Sequence, residues 1–169
     1  MKNKWILQVF IISFLLSAVF SGLSSYVSDF NVILLVLILL LVISIGILFD
    51  MIGVATLTAE EAPFHARSSK KIKEAAACLH LIKNNTKVSS VCNDIVGDIC
   101  GIVSGSLGAT LTLYFTVQLK MNALLATILV TSFISALTVG GKAYFKNIAM
   151  KKSDAIVFMV GKVMQVFHK

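Results

Sequence analysis

The chain has 169 residues, of which 57% are hydrophobic and 14% charged, and its mean hydropathy is +0.92. A soluble domain of this size carries about 25% charged residues, so the composition excludes a water-soluble globule and defines an integral membrane protein. Fifteen Lys and Arg against eight Asp and Glu give a formal net charge of +7, yet the basic residues are sorted by loop and have no interleaved exposed aromatics, which argues against nucleic acid as a partner.

Four apolar stretches are long enough to cross about 30 Å of hydrocarbon at roughly 1.5 Å per residue. They are Trp5–Leu23, Asn31–Ala55, Asn93–Leu119 and Ala123–Tyr144. The first has two readings. Lys2 and Lys4, an apolar core and Val19-Phe20-Ser21 before Gly22 have the layout of a signal peptide. The apolar run is longer than a usual signal core, so an uncleaved helix is the expectation. Residues 1–30 then form an extra N-terminal segment, and residues 31–169 form the main membrane domain.

The second span continues past its expected end. From Asn31 to Ala59 the polar residues are Asn31, Ser44, Asp50, Thr56 and Thr58. A straight helix of that length would cover roughly 44 Å, so the helix either tilts or breaks inside the membrane. Gly46, Asp50 and Gly53 share one face, and a break near Asp50–Gly53 would free carbonyls to line a polar cavity. Otherwise Asp50 marks the cytoplasmic boundary and Met51–Ala59 lies in the interface.

Glu60-Glu61-Ala62-Pro63 ends that span, and Ser69 to Lys83 reads as the helix of a cytoplasmic hairpin. Its apolar stripe is Ile72, Ala75, Ala76, Leu79 and Ile82, with Lys70, Lys71, Lys73 and Glu74 on the wet face. Asn84-Asn85 breaks it.

The third span opens on Asn93, Asp94 and Asp98. On a helix, Asp94, Asp98, Gly101, Gly105, Gly108 and Thr112 fall within about 80° of arc. Gly97, Gly101 and Gly105 repeat every four residues, a spacing that lets another helix backbone approach. A carboxylate at bilayer depth costs roughly 2.5–3.5 kcal/mol, so two of them on one face point to a protein-lined polar site. The plainer alternative is that Asn93 and Asp94 cap a helix at the water interface and only Asp98 lies inside. After the fourth span, Ser153–Lys169 is amphipathic, with Ile156, Val160, Val163 and Phe167 on one face and Val157 and Met164 beside them. It is too short and too charged to cross, and is expected to lie along the cytoplasmic surface.

The loops alternate in charge. Lys2 and Lys4, the basic stretch from Arg67 to Lys87, and the C-terminal lysines from Lys142 onward place 14 of the 15 basic residues on one side. The positive-inside rule makes that side cytoplasmic, with both termini inside, for a multi-pass protein of the cell membrane. Cys78, Cys92 and Cys100 form no Cys-x-x-Cys pair and read as reduced packing residues. His65, His80 and His168 are far apart, and no catalytic or nucleotide-binding motif is present. Nothing in the sequence argues for an enzyme.

The order of parts resembles the transmembrane domain of the CNNM/CorC (CorB) magnesium transporter family, without its CBS domains. The resemblance rests on Ala59-Glu60-Glu61-Ala62, on Cys92-Asn93-Asp94-Ile95-Val96 and on Gly141-Lys142-Ala143-Tyr144-Phe145-Lys146, separated by a basic hairpin and a short outer turn. It covers about Leu34 to Phe167, with the first span extra. It implies a dimer holding a dehydrated Mg²⁺ near the midplane. By position, Asn93 and Asp94 match the family's Asn pair, while Lys142 stands where the family has Glu. An ammonium cannot ligate Mg²⁺ and would repel it. Either the metal site has moved to Asp50, Asp94 and Asp98 with Asn93, or Lys142 neutralises the carboxylates of a site that no longer works. Two functions follow: a protein that binds or transports a divalent cation, or a non-transporting membrane scaffold or accessory subunit.

Overall fold

The structure is a computed structural model. It describes residues 31–70 and 73–167, with scattered helical positions between 7 and 22. The expected first span, Trp5–Leu23, therefore lies largely outside the described residues, as do Lys71 and Ile72.

The described chain is almost entirely helical. Helix α1 runs Val32–Thr58, α2 Ala62–Ser69, α3 Lys73–Lys83 and α4 Asn85–Ser89. A π-helical turn, Ser90–Val96, leads into α5, Gly97–Gln118; α6 is Ala123–Lys151 and α7 Ser153–Phe167. Among the described residues, three helical runs are long and apolar enough to cross a membrane: Val32–Thr58, Asn85–Gln118 and Ala123–Lys151.

Local chemistry explains the boundaries. The Asn31 side chain accepts a hydrogen bond from the Ile33 amide at 3.2 Å and opens α1. Pro63 sits in the first turn of α2, where its missing N–H is no loss. The expected break at Asn84 is present, and its side-chain amide donates to the His80 carbonyl at 2.9 Å. Between α5 and α6, Lys120 takes a left-handed φ of 51°, and Asn122 Oδ1 accepts the Leu124 amide at 2.9 Å to start α6.

Two sequence expectations are corrected. Helix α1 passes through Asp50 and Gly53 without a break, because its backbone ladder stays intact and the glycine is used for packing instead. Asn93 and Asp94 do not cap a helix, since helical residues precede them from Asn85 onward. The irregularity expected in α1 sits in the Asn93–Asp94 segment, as a π-turn.

The chain divides into two compact units, one of residues 1–46 and 95–141, the other of 47–94 and 142–169. In the first unit, Leu35, Leu39 and Ile43 of α1 and Ile99, Val103, Leu107 and Leu111 of α5 are buried at four-residue spacing, the pattern of interlocking helix ridges. Gly108 gives α6 room for Ile134, and a Cβ on Gly46 would come within 3.0 Å of Cys100 Cβ. The outer face of α5 is open around Gly101 and Gly105, where an added Cβ would meet nothing within 4 Å.

The second unit has its own core of Ala55, Phe64, Cys78, Leu81, Ile82, Ala149 and Val157. Helix α3 packs on both α2 and α7. Its buried stripe is turned slightly from the expected one: Ala75 and Ile82 are inside, but so are Cys78 and Leu81, while Ala76 is exposed. The apolar face of α7 is likewise spent on α3. Val157 is buried, and a side chain at Gly161 would run into Cys78 Sγ and come within 3.4 Å of the Glu74 carbonyl. Arg67 on α2 lies 4.7 Å from the ring centroid of Phe158, which ties α2 to α7 as well.

Candidate functional site

The polar side chains of the second unit meet where α1, the π-turn and α6 come together. Asp50 and Gly53 are three residues apart on α1 and so share a face. Gly53 is where the Asn93 side chain fits: a Cβ there would overlap Asn93 Oδ1 and lie 2.8 Å from its Cγ. No residue other than glycine leaves that notch. Asn93 Nδ2 donates to Ser89 Oγ at 3.2 Å, one turn back. Asn93 Oδ1 is buried and has no hydrogen-bond donor. An acceptor left in that state costs about 1–3 kcal/mol, and π-turns that put a side chain in such a position recur at functional sites.

Lys142, on α6, reaches the same face of α1. Its Nζ lies 3.4 Å from Asp50 Oδ1, and the two side chains are 31% and 17% exposed. Asp50 is therefore neutralised by a tethered ammonium in this arrangement. Removing one member of a largely buried pair leaves the other charge uncompensated, which is costly.

The other carboxylates expected at the site are placed differently. Asp94 is exposed and accepts a hydrogen bond from Ser90 Oγ at 2.8 Å. Asp98 is exposed and belongs to the first unit, in the first turn of α5. The second unit thus brings Asn93 to the Asp50–Gly53 face of α1. Among the described residues, no three His, Cys, Asp or Glu side chains gather as a group able to hold a metal. Sequence reasoning had Gly53 as a breakpoint and missed its role as the seat for Asn93. It also missed Ser89 as the Asn93 partner, and no periodicity in the sequence carries that signal.

None of the three cysteines is in a disulfide. Burial pushes the Cys78 thiol above its ordinary range, with the Arg67 charge acting the other way, so it packs as a small apolar group and its Sγ–H donates to the Val157 carbonyl at 3.5 Å.

Comparison with known proteins adds no name to this geometry: no family model, no curated protein and no solved structure matches the chain. The class defined by the fold is an all-helical, multi-pass membrane protein.

Proposed function

We propose that this protein binds or transports a divalent cation such as Mg²⁺ through a CNNM/CorC-like transmembrane core, with Asp50 and Asn93 as the protein ligands and Lys142 as a tethered competitor for Asp50. The observation that carries the reading is the buried Asn93 Oδ1 without a donor, seated against the helix face that bears Asp50. Mg²⁺ takes oxygen ligands, keeps several of its waters and is commonly bound by one or two carboxylates. A site of one carboxylate, one amide oxygen and water is consistent with that habit. Asp94 and Asp98, both exposed, act on this reading as charges along the approach rather than as direct ligands. The same reading places four spans in the cell membrane with both termini in the cytoplasm, and a homodimer as the working form. The orientation is supported by the charge sorting of the loops.

A second reading is favoured by one observation of its own. The Lys142–Asp50 pair supplies the positive charge internally, as in a scaffold or accessory subunit that only holds helices together.

A thermal-shift series on the purified protein separates the two. Metal that binds only the folded state stabilises it by about 2.7 kcal/mol at a hundredfold excess over Kd. The cation reading expects a saturable rise in Tm with Mg²⁺ that equal ionic strength of choline chloride does not reproduce. Asp50→Asn should abolish it, Asn93→Ala should weaken it, and Lys142→Gln should move its midpoint to lower Mg²⁺. No metal response in either the native chain or Lys142→Gln removes the cation reading and leaves the scaffold.

A further inference from the structure

Helix α7 has two faces, and only one of them is used by the fold. Val157 and Gly161 face α3. On the opposite side, Ala155, Met159 and Val163 recur every four residues with Lys152 and Lys162 beside them, all exposed. Met159 is 68% and Val163 53% exposed. The single acid of the helix, Asp154, is half-buried.

The connection to α6 fixes where this stripe lies. Helix α6 ends at Lys151 and α7 begins at Ser153. The Lys152 amide donates to the Ile148 carbonyl at 2.9 Å, and the Ile156 amide to the Lys152 carbonyl at 3.1 Å, so the chain turns with no loop between. Helix α6 has 29 residues, roughly 44 Å, against a hydrocarbon core of about 30 Å. Its last residues, with exposed Tyr144 and Met150, occupy the interfacial layer that aromatic and basic side chains prefer. Helix α7 therefore starts within reach of the lipid headgroups.

We infer that the outer stripe of α7 is a recognition surface for anionic lipid, with Met159 and Val163 entering the interfacial layer and Lys152 and Lys162 pairing with headgroup phosphates. Charge complementarity selects this occupant. A second copy of the chain would set the same lysines against one another across a two-fold axis, whereas an anionic leaflet attracts each juxtamembrane lysine. The inference rests on the fold of the second unit and stands apart from the ion reading.

The test uses the whole chain in bilayers. Trp5 is the one tryptophan, so Trp5→Phe with Met159→Trp creates a single reporter on the stripe. The variant is reconstituted in phosphatidylcholine vesicles with and without phosphatidylglycerol, part of the lipid carrying bromine on its acyl chains. The expected result is a blue-shifted emission quenched by brominated lipid, more strongly with phosphatidylglycerol present. Lys152→Gln and Lys162→Gln should each weaken the engagement roughly fivefold. Emission typical of water-exposed indole with no lipid quenching would overturn the inference. So would quenching indifferent to phosphatidylglycerol and to both lysines, which would mean apolar contact alone. A signal that follows protein density rather than lipid composition would assign the stripe to a second copy and overturn it equally.

Discussion

The two units of the molecule differ in how far their polar side chains reach. In the first, Ser44, Thr112, Thr116, Thr127, Thr131 and Thr138 each return a hydroxyl hydrogen bond to a carbonyl four residues back on the same helix. In the second, Thr56 and Thr58 do the same, but polar groups also reach between segments: Lys142 to Asp50, Asn93 into the Gly53 notch and Cys78 to the Val157 carbonyl. The difference follows from the surroundings. Lipid offers no hydrogen-bond partner, so a hydroxyl on a lipid-facing helix must be satisfied at home. Where helices pack on one another, a polar contact between them fixes register, and the one left incomplete, at Asn93, is where the proposed cation would bind.

The glycines provide the sharpest way to break that contrast. Gly161→Ala should destabilise the protein by about 1–3 kcal/mol, since the new methyl overlaps the buried Cys78 sulfur. Cys78→Ala in the same chain should recover most of the loss, because the sulfur is the atom in the way. Gly53→Ala should cost somewhat less, because the Asn93 amide it meets is a side chain that can swing aside. Both changes would be read by denaturant titration in detergent. If either variant is as stable as the native chain, the close approach in the second unit does not exist.

The smallest effects belong to the first unit. An added Cβ at Gly101 or Gly105 meets nothing within 4 Å, so Ala at either position should leave the stability of a single chain unchanged or raise it by up to about 1 kcal/mol through helix propensity. Gly101→Leu or Gly105→Leu should lower the mass measured by light scattering if this open face joins two copies. A loss of stability from Gly101→Ala as large as that from Gly161→Ala would erase the distinction between the units.

Much of this fold was legible in the sequence. The apolar runs marked the three described helices long enough to cross a membrane, Asn31 and Asn84 marked ends that hydrogen bonds now explain, and Ser153 began α7 as expected. What escaped the sequence depended on which face meets which neighbour. Val163 falls on the apolar stripe of α7 by periodicity but is exposed, because Gly161 draws the centre of the contact toward Cys78. The residues Asp50, Asn93 and Lys142 could each be singled out as polar groups in apolar surroundings. Their pairing could not: the sequence leaves Asp50, Asp94 and Asp98 all open as partners of Lys142, and the structure sets it against Asp50. A π-turn also shifts every later side chain by one position relative to a regular helix, and no hydropathy pattern announces it.

The central claim is that Asp50 and Lys142 are a coupled pair on one face of α1, and a double-mutant cycle tests it most directly. Asp50→Asn, Lys142→Met and the double variant would be unfolded in detergent under the same conditions. A pair at 3.4 Å with both side chains less than a third exposed should show a coupling of about 1–3 kcal/mol. Lys142→Met alone should destabilise, and adding Asp50→Asn should restore much of the loss. Additive single effects, with no recovery in the double variant, would contradict the pairing.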